Sequence, residues 1–214
     1  MDLSLSLLAK AFLAFSHPIL IVPFLVIGFL LEKNGLIKNF KRGPMVWENA
    51  CLLILFTMIF NTFLKSLFLV PLNPSIGKEG FAFPSGHMQV SVVFYGWVFW
   101  IYANRSIRGL ILLILAGVGW SLIQQGYHTL EDVVTAAVVG SLTVYGFMKV
   151  SQLPLIQKKP ECLGLCLIPV AGLMMGIIHY RIGIPPHIQI TFMGFSGIAV
   201  GWFSYSRCML KTNS

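Results

Sequence analysis

Two histidines stand at the mouths of two apolar runs, and their neighbours are the kind that phosphoryl chemistry needs. His87 follows Pro84-Ser85-Gly86, and His128 is followed by Thr129-Leu130-Glu131-Asp132. On a helical run His128 and Asp132, four apart, project from one face. A carboxylate there accepts from one ring nitrogen and leaves the other free to attack. The plainer alternative is a hydrogen-bonded pair that settles two polar groups at a membrane boundary. His87 shifts the balance. Proline suits a first helical turn, serine caps it, and glycine lets backbone approach a ligand. A helix start of this kind cradles phosphate through its unpaired N–H groups. Two histidines and an orienting aspartate are together equipped to displace a phosphoryl group through a covalent intermediate. Lys65, near the end of the preceding apolar run, either snorkels to the interface or supplies a point charge to phosphate.

The elements that must position these groups are membrane helices. Apolar residues make up 57% of the 214-residue chain and charged ones 10%, with a mean hydropathy of +0.82. Soluble domains carry about 25% charged residues. The net charge of +8 is scattered between apolar runs and forms no groove-reading patch, so no nucleic-acid partner is expected. Apolar stretches fall at roughly 12–31, 47–70, 86–103, 108–126, 129–149, 162–179 and 188–206, each near the length of a spanning helix. They do not alternate with period two, which excludes a barrel. The expectation is an all-α, polytopic helical bundle of about seven spans in one integral-membrane domain, 1–214. Leu3–Phe15 reads as a retained segment, with a bend at His17-Pro18. Cys51, Cys162, Cys166 and Cys208 read as buried apolar cysteines. No metal site and no cofactor are expected. Phe94, Tyr95, Trp97, Phe99, Trp100 and Tyr102 read as an interfacial aromatic belt. Met174 and Met175 read as packing residues, and Glu131 as a solvated acid at a helix start.

Charge asymmetry orients the bundle. Counted from an outside N-terminus, the loops on one side carry Lys33, Lys38, Lys41, Arg42, Arg105, Arg108, Lys149, Lys158, Lys159, Arg207 and Lys211. The other side carries only Lys10, Lys65, Lys78 and Arg181. The basic side is cytoplasmic, which puts Lys65, the Pro71–Pro84 loop, His87 and His128 together on the opposite face.

The set Lys65, Pro84-Ser85-Gly86-His87 and His128-x-x-x-Asp132 resembles the type 2 phosphatidic acid phosphatase superfamily over roughly residues 47–149. Its relatives include undecaprenyl and dolichyl diphosphate phosphatases, glucose-6-phosphatase and the haloperoxidases. The resemblance implies that His128 attacks phosphorus to give a phosphohistidine, Asp132 holds its ring, and His87 protonates the leaving oxygen. It also implies that Lys65 and the backbone of Ser85 and Gly86 hold the phosphate, and that water then releases it. Two family positions differ. Where an Arg-Pro pair follows the family lysine, this chain has Leu72-Asn73, and where a Ser-Arg pair precedes the nucleophile it has Ser121-Leu122. Leucine cannot replace arginine's planar fork.

Three explanations follow. Gln124, Gln125, Lys78, His179 or Arg181 fills the clamp; the substrate carries less bare charge, as in the lipid phosphotransferase branch; or the chain binds lipid without turning it over. The favoured expectation is hydrolysis of a lipid phosphate or diphosphate, isoprenoid diphosphate or phosphatidate in type. Headgroup transfer is second and non-catalytic lipid binding third. The expected partners are a phosphorylated lipid and the bilayer, in a bacterial inner membrane with the site facing the periplasm or exterior. The two C-terminal spans, 162–206, have no expected function beyond packing.

Overall fold

Helix signals in the sequence become nine α-helices among the described residues of the computed structural model, which are 3–34, 46–77 and 79–212. They are α1 Leu3–Ala14, α2 Pro18–Lys33, α3 Val46–Phe68, α4 Gly86–Ile101, α5 Arg105–Gln124, α6 Leu130–Ser151, α7 Pro154–Lys158, α8 Cys162–Ile182 and α9 Pro186–Thr212. Prolines open α2, α7 and α9, the position where a missing N–H costs nothing. Asn104 caps α5 by accepting from the N–H groups of Ser106 and Ile107. The end of α5 turns at Gly126, whose φ of +72° is the left-handed conformation a helix stop favours. The described residues contain no strand, only a single bridge between Pro71 and Phe81.

The chain is an all-α membrane bundle. Five segments are long and apolar enough to cross a bilayer: Ser4–Glu32, which joins α1 and α2, then α3, α5, α6 and α8. The other two expected spans form helices with different properties. α4 has 16 residues, about 24 Å against a hydrocarbon core of about 30 Å. α9 is longer, at 27 residues, but its polar content keeps it out of that group. Leu110, Leu113, Leu142, Leu173 and Ile190 are all more than half exposed, an apolar surface that a protein in water would have to cover.

α4 is the centre of the bundle, packed against α3, α5 and α6. α8 and α9 pair with each other and both lie on α3, while α1 rests on α5 and α2 on α3. The aromatic belt expected on α4 is instead largely core. Phe94, Tyr95 and Trp97 are buried. The Trp97 indole N–H donates to the Val46 carbonyl at 3.1 Å, and its ring meets Phe147 edge-on at 5.7 Å. Helix α4 is enclosed on three sides, so these three aromatics fill space between helices, whereas Phe99, Trp100 and Tyr102 nearer its end are only half-buried. At the same end Glu32 accepts from the N–H groups of Val46 and Trp47 at 2.9 and 3.0 Å, capping α3. Met175 is in the core beside α9, as a packing residue should be. Among the cysteines expected to be buried, Cys51 and Cys162 are half-buried and Cys166 is exposed, while the Cys208 side chain lies outside the described residues.

Candidate active site

The opposite end of the bundle gathers the polar residues. Here the α3–α4 loop folds back on itself: Leu72 N–H donates to Gly80 O at 3.0 Å and Ala82 N–H to Val70 O at 2.8 Å. That closure sets Leu72, Ile76 and Phe81 over a cavity of about 580 Å³ whose walls include Lys65, Gly86, His87 and His128. The segments that charge parity placed on one face therefore meet at one end of the structure.

His128 is fixed from both sides in the chain. Its N–H donates to the Leu122 carbonyl at 3.3 Å, through the turn that ends α5. Two residues later α6 begins with a capping box. Thr129 N–H donates to Asp132 Oδ2 at 2.9 Å, and Asp132 N–H donates to Thr129 Oγ1 at 3.2 Å. Asp132 Oδ2 also lies 3.4 Å from His128 Nδ1, with both side chains 6% exposed. This is ion-pair range, but the angle is not that of a hydrogen bond, and Nδ1 has no hydrogen-bond partner. Such contacts commonly tighten only when substrate binds. Burial pulls the His128 pKa below its ordinary value, the Lys65 charge pulls it further, and Asp132 opposes both. The imidazole is accordingly neutral near pH 7, the form in which a ring nitrogen can attack.

Ser85 and Gly86 divide the work expected of them jointly. Ser85 is fully buried; its N–H donates to the Asp132 carbonyl at 3.2 Å, and its hydroxyl accepts from Met88 N–H as the cap of α4. With that N–H engaged, Ser85 ties α4 to α6 and is not available to hold phosphate through its backbone. Gly86 lines the cavity. It stands at N1, where the amide has no acceptor within the helix. A Cβ at Gly86 would lie 3.0 Å from Asn61 Oδ1, a tight approach that any larger residue could make only by displacing the Asn61 side chain. Asn61 in turn donates to Gln89 Oε1 at 2.8 Å and to Pro84 O at 3.3 Å.

Reading the sequence missed the Asn61–Gln89 pair, although Asn61 lies one helical turn before Lys65 inside a span, where buried amides are rare and informative. It also missed His17 and His187, both on the cavity wall. Their only signal was a proline neighbour at an expected turn.

The residues considered as replacements for the two arginines lie elsewhere. Arg181 donates to the carbonyls of Ser66 and Leu67 at the end of α3. His179, Gln124 and Gln125 do not line the cavity that holds Lys65 and the two histidines, and Lys78 lies outside the described residues. Leu122, at one arginine position, is packed in the core with Met88 and Val133, whereas Leu72, at the other, is on the cavity wall. Glu131 is exposed at the start of α6, as a solvated acid should be. His128 and Asp132 also border a second cavity of about 660 Å³, walled by Phe68, Val70 and Phe83. Among the described residues no group of three or more His, Cys, Asp or Glu side chains could hold a metal ion.

No curated protein and no solved structure matches the chain. The family model of the PAP2 superfamily matches residues 47–154, just over half of the chain and the stretch that contains Lys65, Gly86, His87, His128 and Asp132. With a helical membrane bundle, Lys65, Gly86, His87 and His128 on one cavity wall and Asp132 directly behind His128, the chain belongs to the PAP2 superfamily, whose members are generally phosphoryl-transfer or hydrolase enzymes.

Proposed function

We propose that this protein hydrolyses a phosphate or diphosphate monoester carried by a lipid, through a phosphohistidine on His128. The observation that carries the reading is the shared cavity. His128, backed by a buried carboxylate, faces the same space as His87, Lys65 and the N-terminal end of α4. In the first step the neutral His128 ring attacks phosphorus, and the bond to the leaving oxygen breaks as His87 delivers a proton to it. Lys65 and the Gly86 N–H bind the non-bridging oxygens, where negative charge accumulates. Asp132 stabilises the positive charge that forms on the ring. In the second step His87 takes a proton from water, which attacks phosphorus and frees His128 and inorganic phosphate.

The substrate is a lipid because the cavity lies at one end of spanning helices with apolar walls, including Met58, Val90 and Ile188. The site opens on the non-cytoplasmic side, a bacterial periplasm or exterior; the scarcity of Lys and Arg in the loops at that end supports this. The test is purified protein in detergent or liposomes with a panel of phosphatidates and polyprenyl diphosphates. Release of inorganic phosphate, abolished in His128→Ala, is the expected result. Product that forms only when a second lipid supplies an acceptor hydroxyl would replace hydrolysis with transfer. Lipid binding without turnover would remove catalysis altogether.

A further inference from the structure

Two histidines from outside the family-matched core reach the same cavity. His17 stands at the N-cap of α2 and His187 in the first turn of α9, and both line the space that holds Lys65, His87 and His128. Neither is explained by its helix. His17 occupies a cap position but its side chain makes no capping bond, and serine, threonine, aspartate or asparagine would cap better. Both residues are exposed, at the rim, whereas Lys65 and His128 are half-buried.

Charge and space point the same way. Among the described residues on this wall there is no carboxylate, and Lys65 is the one permanent cation. Three helix N-termini, those of α2, α4 and α9, meet the cavity, each carrying roughly half a positive charge, against two C-terminal ends of opposite sign, those of α1 at Leu13 and α3 at Lys65. A volume of about 580 Å³ exceeds what one phosphoryl group beside His128 requires. An imidazole in either protonation state offers an N–H donor to an anion.

We propose that His17 and His187 bind a second anionic group of the substrate, the phosphate of the leaving group, so that the cavity selects a lipid diphosphate over a lipid monophosphate. The inference rests on the hydrolase reading above. It gives the first turn of α9, and the bend between α1 and α2, a part in recognition.

The experiment compares a polyprenyl diphosphate with the matching polyprenyl monophosphate in the wild type, His17→Ala, His187→Ala, the double variant and the corresponding glutamine variants, with His128→Ala alongside. A lost hydrogen bond to a charged group corresponds to about a tenfold to hundredfold loss. Expected is that loss in kcat/KM for the diphosphate in each alanine variant, near-wild-type kcat/KM for the monophosphate, and partial recovery with glutamine, which keeps an N–H donor. Inorganic pyrophosphate should compete better than inorganic phosphate in the wild type, and lose that advantage in the double variant. Equal losses on both substrates, or no loss on either, overturn the proposal while leaving the hydrolase reading standing. Activity that survives His128→Ala overturns the phosphohistidine mechanism, and no phosphate release from either lipid by the wild type overturns the hydrolase reading itself, whatever the rim variants do.

Discussion

Asp132 has two separable functions, and changing it in two ways distinguishes them. Its Oδ2 accepts from Thr129 N–H at 2.9 Å and lies 3.4 Å from His128 Nδ1. Asp132→Asn keeps an oxygen for the cap but removes the charge that holds and stabilises the imidazole. Carboxylate-to-amide changes behind a catalytic histidine cost up to about 10⁴-fold. Because the contact here is long and off-axis, we expect the lower part of that range, about 10²–10³-fold in kcat, with little change in thermal stability. Asp132→Ala also removes the acceptor for Thr129 N–H, one of the two bonds of the capping box, while Thr129 still accepts from the backbone N–H of residue 132. That adds a loss of about 1 kcal/mol, or about 2–4 °C in Tm for a chain of this size. Phosphate release from the lipid substrate gives the rate, and thermal unfolding in the same detergent gives Tm. Wild-type kcat in Asp132→Asn, combined with a lowered Tm in Asp132→Ala, would reduce Asp132 to a helix cap and refute its orienting role.

Three further outcomes are expected. The acid limb of the kcat/KM–pH profile should fall below the ordinary imidazole value of about 6.5, since burial and Lys65 both lower the His128 pKa. Removing the Lys65 charge (Lys65→Met) should raise that pKa and move the limb to higher pH, and an unmoved limb would separate it from His128. Gly86→Ala should lower activity at least about tenfold, because its Cβ would lie 3.0 Å from an Asn61 oxygen whose side chain is anchored by two hydrogen bonds. A fully active Gly86→Ala would show that the approach of backbone to substrate is not tight. Trp97→Ala at the far end should cost about 3–5 kcal/mol in stability, as for buried aromatics generally. It should leave the pH profile intact, which differential scanning and rate measurements check together.

Helix positions were legible because apolar run length and capping residues are local properties. Thr129 at the head of the 129–149 run, Ser85 before Gly86 and the bend at His17-Pro18 each mark a helix start that the structure contains, whereas α7, opened by Pro154, falls where the sequence read as a loop between spans. The burial of Phe94, Tyr95 and Trp97 was not legible. Depth in a bundle depends on which helices surround α4, and an aromatic reads the same in a core or at an interface. The reach of α2 and α9 into the site was hidden for a similar reason. His17 and His187 lie far from each other and from the motifs in sequence, and only the packing of α2, α8 and α9 around α3 brings them to one cavity. The occupied N–H of Ser85 is likewise a tertiary fact, since its acceptor is the carbonyl of Asp132 on another helix.

The most direct test is to quench the purified protein within its first turnovers on a radiolabelled lipid phosphate or diphosphate, digest it under alkaline conditions and map the label by mass spectrometry. Acid-labile phosphate on His128, absent from His128→Asn and accumulating in His87→Ala with an activated leaving group, is the result the account predicts. Label on any other side chain, or turnover at the wild-type rate with His128 replaced, contradicts it.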